Sequence, residues 1–239
     1  MFSRLGIDAL WSFLCFTISY IGTAFVCDYV SPRKCLKWEK VKKVLFRNFS
    51  AIFVFALVVP QILDRTSIPS CLNQVVFCGL EVVTQWIISL IVLDVWFYYA
   101  HRLMHYPPLY RLFHKQHHEF IKPYSWTGLY CSIAELFLVN LFSVTIGPLI
   151  VGMTGWNLVA WIVTISVLTV LSHHSGFNVP FLSDGKHDIH HLQFNYNYGI
   201  FEILDRLHGT FRAVENYQFK KKCYLKNGTP QITQFKTSC

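Results

Sequence analysis

Eleven histidines punctuate the chain, and eight of them fall into three short runs. "HRLMH" supplies His101 and His105, "HKQHH" supplies His114, His117 and His118, and "HDIHH" supplies His187, His190 and His191. Spacings of three and four residues put side chains on one face of a helix. The two "HxxHH" runs can therefore aim their ring nitrogens at one point or at two adjacent metals. A ninth candidate is His174, directly before Ser-Gly in "HHSGF". His173 and His208 lack a patterned partner and are expected to make structural hydrogen bonds. Eight or nine neutral imidazoles exceed what one tetrahedral zinc can use, so two metals sharing the set is the count that fits. Imidazole serves iron, copper, zinc and nickel alike, and the H-E-x-x-H pattern of zinc proteases is absent. Which metal the set holds, and for what chemistry, turns on the elements around the rings.

The elements that would hold these rings are membrane helices. Only 14% of the 239 residues are charged, against about a quarter in soluble domains. Ala9–Cys27 runs nineteen residues without a charge, close to the length that crosses a hydrocarbon core and long for a cleavable signal. Asn48–Leu63 is shorter, with Arg47 able to snorkel at its end. Leu72–Ala100 is interrupted only by Glu81 and Asp94. Leu136–Ser172 is too long for one span, so its Gly147-Pro148 and Gly152–Gly155 punctuation is expected to bend a hairpin. Buried helices of a large soluble core would need charged outer faces that these segments lack. The eight scattered cysteines form no C-x-x-C pair and suggest neither a disulfide framework nor a thiolate zinc site.

Basic residues then orient the bundle. Arg33, Lys34, Lys37, Lys40, Lys42, Lys43 and Arg47 lie between the first two spans against two acids, Asp28 and Glu39, and positive loops stay in the cytosol. On the threading that follows, only Arg4 and Arg65 of 21 Lys and Arg fall on the far side, and every histidine falls at or near the cytosolic face. The net charge of +8 thus has a topological meaning, supplemented by attraction to anionic lipid headgroups, and nucleic-acid binding need not be invoked. The formal glycosylation acceptors at Asn48 and Asn227 are expected to stay bare. The expectation is an all-α integral membrane protein, a bundle of about four to five hydrophobic segments with a cytosolic histidine-rich di-metal site. Residues 1–80 form N-terminal spans with a basic loop, 81–212 a catalytic domain with a membrane hairpin, and 213–239 a basic cytosolic tail.

Ligating histidines need their other ring nitrogen held by an acceptor. Asp94 lies seven residues before His101 and shares its helical face, and an ionisable group inside a membrane segment is seldom idle. Its alternative role is as a membrane acid paired with an Arg or Lys. Asp188 is a second candidate for orienting a ring, and Glu119 a third.

The three runs in this order, with "HSGFNVP" before the last and "NYGIFEILDRLHGT" after it, resemble the fatty acid hydroxylase/sterol desaturase superfamily. The resemblance covers roughly Val92 to Thr210. "HKQHHEF" followed by "KPY", and "FLSDGKHDIHH", are most similar to the branch of C4-methylsterol oxidases, cholesterol 25-hydroxylases and fatty acid hydroxylase domain-containing proteins. The longer first box of acyl-CoA desaturases is missing, and His173 in "SHHSG" is an extra histidine. The resemblance implies two Fe ions held by the eight box histidines and His174, with O2 as co-substrate and a lipid as substrate. A sterol is favoured, and a fatty-acyl or sphingolipid hydroxylase or desaturase is the alternative. No dinucleotide loop or haem-binding H-P-G-G segment is present, so the expectation is an external electron donor. Cytochrome b5 with its NADH reductase, at the endoplasmic reticulum membrane, is what the family implies. A metal transporter or buffer would place its site near the midplane of broken helices, and a pseudoenzyme would not keep all eight box histidines.

Overall fold

The computed structural model describes residues 4–32, 37–63, 79–174 and 185–213. Asn227, Arg65 and the basic tail from residue 214 lie outside the described residues. Nine α-helical segments follow in order among those described. They are α1 (Arg4–Val30), α2 (Trp38–Leu63), α3 (Gly79–Met104), α4 (Pro107–Leu109), α5 (Ile133–Glu135), α6 (Phe142–Ile150), α7 (Gly155–Ser172), α8 (Lys186–Gln193) and α9 (Ile203–Leu207). A π-helical stretch, Leu136–Leu141, joins α5 to α6. Among the described residues, four stretches are long and apolar enough to cross a membrane: Leu10–Val30, Gly79–Met104, Ile133–Ile150 and Gly155–Ser172. The chain is a multi-pass helical membrane protein. In the second half of α2 lies the Asn48–Leu63 segment, behind a basic first half.

The hairpin bends at the second of its two expected points, Gly152–Gly155, and not at Gly147-Pro148. Gly147 and Pro148 lie inside α6, and the chain turns at residues 151–154, where Gly152 takes φ +65. Pro148 is tolerated because local adjustments and neighbouring helices can satisfy the freed backbone groups. Gly147 serves packing instead: a Cβ there would meet the Ser89 Cα of α3 at 2.7 Å. Such small-residue crossings let helix backbones approach where lipid offers no hydrophobic drive. Polar contacts add to them. Ser19 on α1 donates to Ser166 on α7 at 3.0 Å, and Trp86 on α3 donates to Asn157 on α7 at 2.7 Å. The Trp161 indole on α7 reaches the Val144 carbonyl on α6 at 2.9 Å. Each such bond is worth about 0.6 kcal/mol on average in a membrane, so the bundle rests on many of them together with close packing.

One end of the bundle is tied by a polar belt. Asp28, near the end of α1, accepts from Ser125 Oγ and Trp126 Nε1, both at 2.6 Å. Asn48 on α2 donates to the Leu129 carbonyl at 2.7 Å, and Lys37 and Lys40 pair with Glu119 at 2.6 Å. Asn48 is fully buried, so its side chain is engaged within the fold. The C-terminal ends of α1, α3 and α7 and the N-terminal ends of α2 and α5 thus meet the segment from His105 to Cys131. That segment carries the histidine run "HKQHH".

Candidate metal centre

Where α3 stops at Met104, the chain turns and restarts at Pro107-Pro108, which open α4. Proline suits the first helical positions, whose N–H groups have no helical partner. A π-helical turn, Tyr110–His114, follows, and a 3-10 turn, His117–Glu119, comes next. The second histidine run is therefore not one α-helix, as its spacing suggested. The wide turn and then the tight one distribute its three rings, and π turns recur at functional sites. The third run does form a helix, α8, entered at Gly185 (φ +85) and left at Phe194 (φ +66).

Ring nitrogens converge into two groups. His101, His105, His114, His118 and His190 form one, and His117, His173, His187 and His191 form the other, with the donor atoms of each within 4.8 Å of one another. Both longer runs are split: His114 and His118 go one way and His117 the other, while His190 parts from His187 and His191. The ninth ring is His173 rather than His174. His173 caps α7, and its Nδ1 lies 2.7 Å from the Thr169 carbonyl one turn back, which turns Nε2 to within 3.0 Å of His187 Nε2. His174 is buried beyond the helix end and outside both groups. His208 takes the structural role expected of it, 2.9 Å from the Tyr99 hydroxyl and stacked on Tyr98.

The surroundings dictate which nitrogen carries the proton. A carbonyl only accepts, so His101 Nδ1, 2.8 Å from the Tyr198 carbonyl, must donate. The same holds for His190 Nδ1 at 2.7 Å from the Tyr196 carbonyl, and for His173 against Thr169. Each of these rings is left with a lone pair on Nε2, and His190 Nε2 has no hydrogen-bond partner. His114 Nε2 lies 3.0 Å from both His105 Nε2 and His118 Nε2, and His191 Nε2 lies 3.0 Å from His187 Nε2. Imidazoles at right angles around a cation, about 2.1 Å from it, have nitrogens about 3.0 Å apart. The donor set therefore fits two cations. Protonation would compete with them, and the fold resists it. Burial first, then neighbouring rings, hold His114, His117, His187, His190 and His191 well below the ordinary value of 6.5. Burial pushes His118 down to about 3 and His173 to about 4.

Carboxylates stand behind the rings, in a different arrangement from the one expected. Glu135, not singled out from the sequence, is 3% exposed, with Oε1 3.0 Å from His114 Nδ1 and 4.0 Å from His117 Nδ1. One carboxylate thus faces a ring of each group. An acid at the start of an apolar membrane helix was the signal that could have found it. Asp94 does not touch His101. Its Oδ1 accepts from the backbone N–H groups of Ile200 and Phe201 at 3.0 and 3.1 Å. Asp188 is buried on α8. Glu119 faces Lys37, Lys40 and the Tyr130 hydroxyl. Burial alone would raise its pKa, but those partners hold it down at about 2.

A cavity of about 130 Å³ opens beside the rings. Leu93, Phe97, Val139, Ile165 and Leu168 supply apolar wall, and His101, His117, Glu135 and His173 also line it. Ring nitrogens and apolar side chains thus border one cavity.

Residues 86–210 match the family model described as fatty acid hydroxylase. Human "Fatty acid hydroxylase domain-containing protein 2" is 39% identical over 129 residues, covering 52% of this chain and 38% of that protein. The "Delta(7)-sterol 5(6)-desaturase" of Leptosphaeria maculans is 33% identical over 133 residues, covering 54% and 37%. "Methylsterol monooxygenase 1" of Gallus gallus is 31% identical over 139 residues, covering 54% and 46%. The match spans less than half the length of each of these three relatives. No solved structure matches the chain. With the family model covering just over half of its residues and both split histidine runs within that region, the chain belongs to the fatty acid hydroxylase family, within the fatty acid hydroxylase/sterol desaturase superfamily.

Proposed function

We propose that the protein is a membrane oxygenase that hydroxylates or otherwise oxidises an unactivated C–H bond of a lipid, a sterol being favoured and a fatty-acyl or sphingolipid chain the alternative. The observation that carries this reading is the opening of two convergent sets of neutral imidazoles onto a cavity with one apolar wall, Leu93, Phe97, Val139, Ile165 and Leu168. His101, His105, His114, His118 and His190 would hold one iron, and His117, His173, His187 and His191 the other. When bound, the two irons supply O2 activation and the oxidation of the C–H bond. The chain's own part is to present, shield and align. Carbonyls of Tyr198, Tyr196 and Thr169 keep protons on Nδ1 of His101, His190 and His173. Glu135 orients His114 and approaches His117, and we assign Asp188, within the third histidine run, to orienting a ligand ring. The cavity walls of Leu93, Phe97, Val139, Ile165 and Leu168 exclude water and seat the lipid segment to be oxidised.

The histidines gather where helix ends meet the basic first half of α2, which supports a cytosolic site in the endoplasmic reticulum membrane. Electrons would come from cytochrome b5 and its NADH reductase. A transport role draws less support, because the rings lie at helix ends and not at mid-bundle. Incubating microsomes that contain the protein and cytochrome b5 with sterols and fatty acids tests the reading by mass spectrometry. Products heavier by one oxygen atom, or unsaturated products, support it. Unchanged lipids across both classes contradict it.

A further inference from the structure

The two histidine groups differ in how their outer nitrogens are held, and the difference leads to a residue that touches no histidine. Tyr196 and Tyr198 offer their carbonyls to His190 and His101, both in the five-histidine group. The aim of those carbonyls depends on the peptide planes of this short segment, which belongs to no helix. Its amide groups need acceptors from elsewhere, because a buried N–H left unpaired is costly. Two carboxylates supply them. Asp205, 1% exposed on α9, accepts from Tyr198 N–H through Oδ1 at 2.9 Å and from Gly199 N–H through Oδ2 at 2.8 Å. Asp94 takes the next two, Ile200 and Phe201. Four successive amides are thus gripped by two acids. Upstream, Asn197 is fixed by the Thr210 carbonyl at 2.8 Å and by Arg212 N–H, also at 2.8 Å.

We propose that Asp205 is a positioning residue for the five-histidine metal site, acting through the Tyr198 peptide to hold His101. The inference rests on the two-metal reading above. Asp205 grips the amide of the same residue whose carbonyl meets His101, so loss of its carboxylate frees that residue to rotate. The hydroxyl of Thr210 donates to Asp205 Oδ1 at 2.7 Å and lies 3.0 Å from the Tyr98 hydroxyl, which orients the carboxylate in turn. Gly199 completes the fit: a Cβ there would lie 3.0 Å from Asp205 Oδ2 and 3.5 Å from Asp94 Oδ1. Gly199→Ala should therefore displace the carboxylate without removing it. The segment approaches the four-histidine group through Asn197, whose side-chain amide donates at 3.3 Å to the Lys186 carbonyl beside His187, and Asp205 grips only Tyr198 and Gly199, so the effect falls on one metal.

The test uses full-length protein purified in detergent, stripped with a chelator and titrated with Co²⁺, whose visible spectrum reports its ligands. Wild type should take two Co²⁺ per chain. Asp205→Asn and Gly199→Ala should each keep one tight site and weaken the other by about 10–100-fold, the usual cost of losing a partner that orients a ligand. The spectrum they retain should be the one that His187→Ala loses. A merely structural role would weaken both sites together or neither, and either result overturns the proposal. If Asp205→Asn fails to elute as a folded species, Gly199→Ala decides, and wild-type Co²⁺ binding in that variant overturns it. Fewer than two Co²⁺ in wild type would instead contradict the two-metal reading, leaving no second site for Asp205 to spare.

Discussion

His101 of the five-histidine group leans on a segment far away in sequence, whereas His173 of the four-histidine group leans on its own helix. His101 and His190 have Nδ1 fixed by carbonyls of residues 196–198, themselves held by α3 and α9. His173 is fixed by Thr169, one turn back on α7. Helical support forms as soon as the helix does. Support from a clamped loop forms only when α3, α8 and α9 have docked. The first group should therefore be the more easily damaged by changes remote from its rings. Glu135, which faces His114 on one side and His117 on the other, is where the two meet.

Removing a ring should have the largest effect. His114→Ala and His191→Ala should each abolish lipid turnover while membrane insertion, read by alkaline extraction, stays normal. Metal analysis should show one metal lost from each variant. Full activity in either would remove that histidine from the site. Glu135→Gln should come next. Because its carboxylate faces both groups, both metals should bind about 10–100-fold more weakly. Weakening of one alone would show that the 4.0 Å approach to His117 does not matter.

Asp94→Asn sharpens the comparison further. Its grip is on Ile200 and Phe201, beyond the peptide that meets His101. We expect the five-histidine metal to weaken by about tenfold, the lower end of such effects, with the other unchanged. Equal loss of both in chelator competition would return Asp94 to a general packing role.

Acid should affect both groups. Rings whose folded pKa lies below the ordinary 6.5 bind fewer protons folded than unfolded. Stability of metal-free protein is therefore fully present above about pH 6.5 and falls as pH drops toward 4 for His173 and 3 for His118. Each such ring contributes a slope of up to about 1.4 kcal/mol per pH unit. Melting temperatures in detergent across this range should fall with pH. A flat profile would mean that the rings are not buried as described.

Much of this was legible in the residues. The eight box histidines are a short-range pattern that the sequence displays directly, although the fold splits both longer runs between the two groups. Long uncharged runs announced the spans, since charges are expensive in lipid. What spacing could not supply was anything settled by docking. His173 and His174 are neighbours in sequence, and only the position of the last turn of α7 decides which ring turns inward. Glu135 and His114 are apart along the chain and meet because α5 packs against the π-helical turn Tyr110–His114. Asp94 was found as a buried membrane acid, but its partners are backbone amides more than a hundred residues away. The Gly147-Pro148 pair looked like a bend because both residues break helices in water. Against Ser89 of α3 the glycine is a packing contact instead.

The central claim is that this cavity and these rings insert oxygen into a lipid. The most direct measurement supplies O2 of a heavy oxygen isotope to microsomes carrying wild-type protein, with NADH, cytochrome b5 and its reductase present. The lipid extract is then compared with that of His191→Ala microsomes. The account predicts a lipid that carries one heavy oxygen atom, or one with a new double bond and the heavy oxygen released as water, in the wild type and neither in the variant. An oxidised lipid whose new oxygen comes from water, or one that forms equally in the variant, would contradict it.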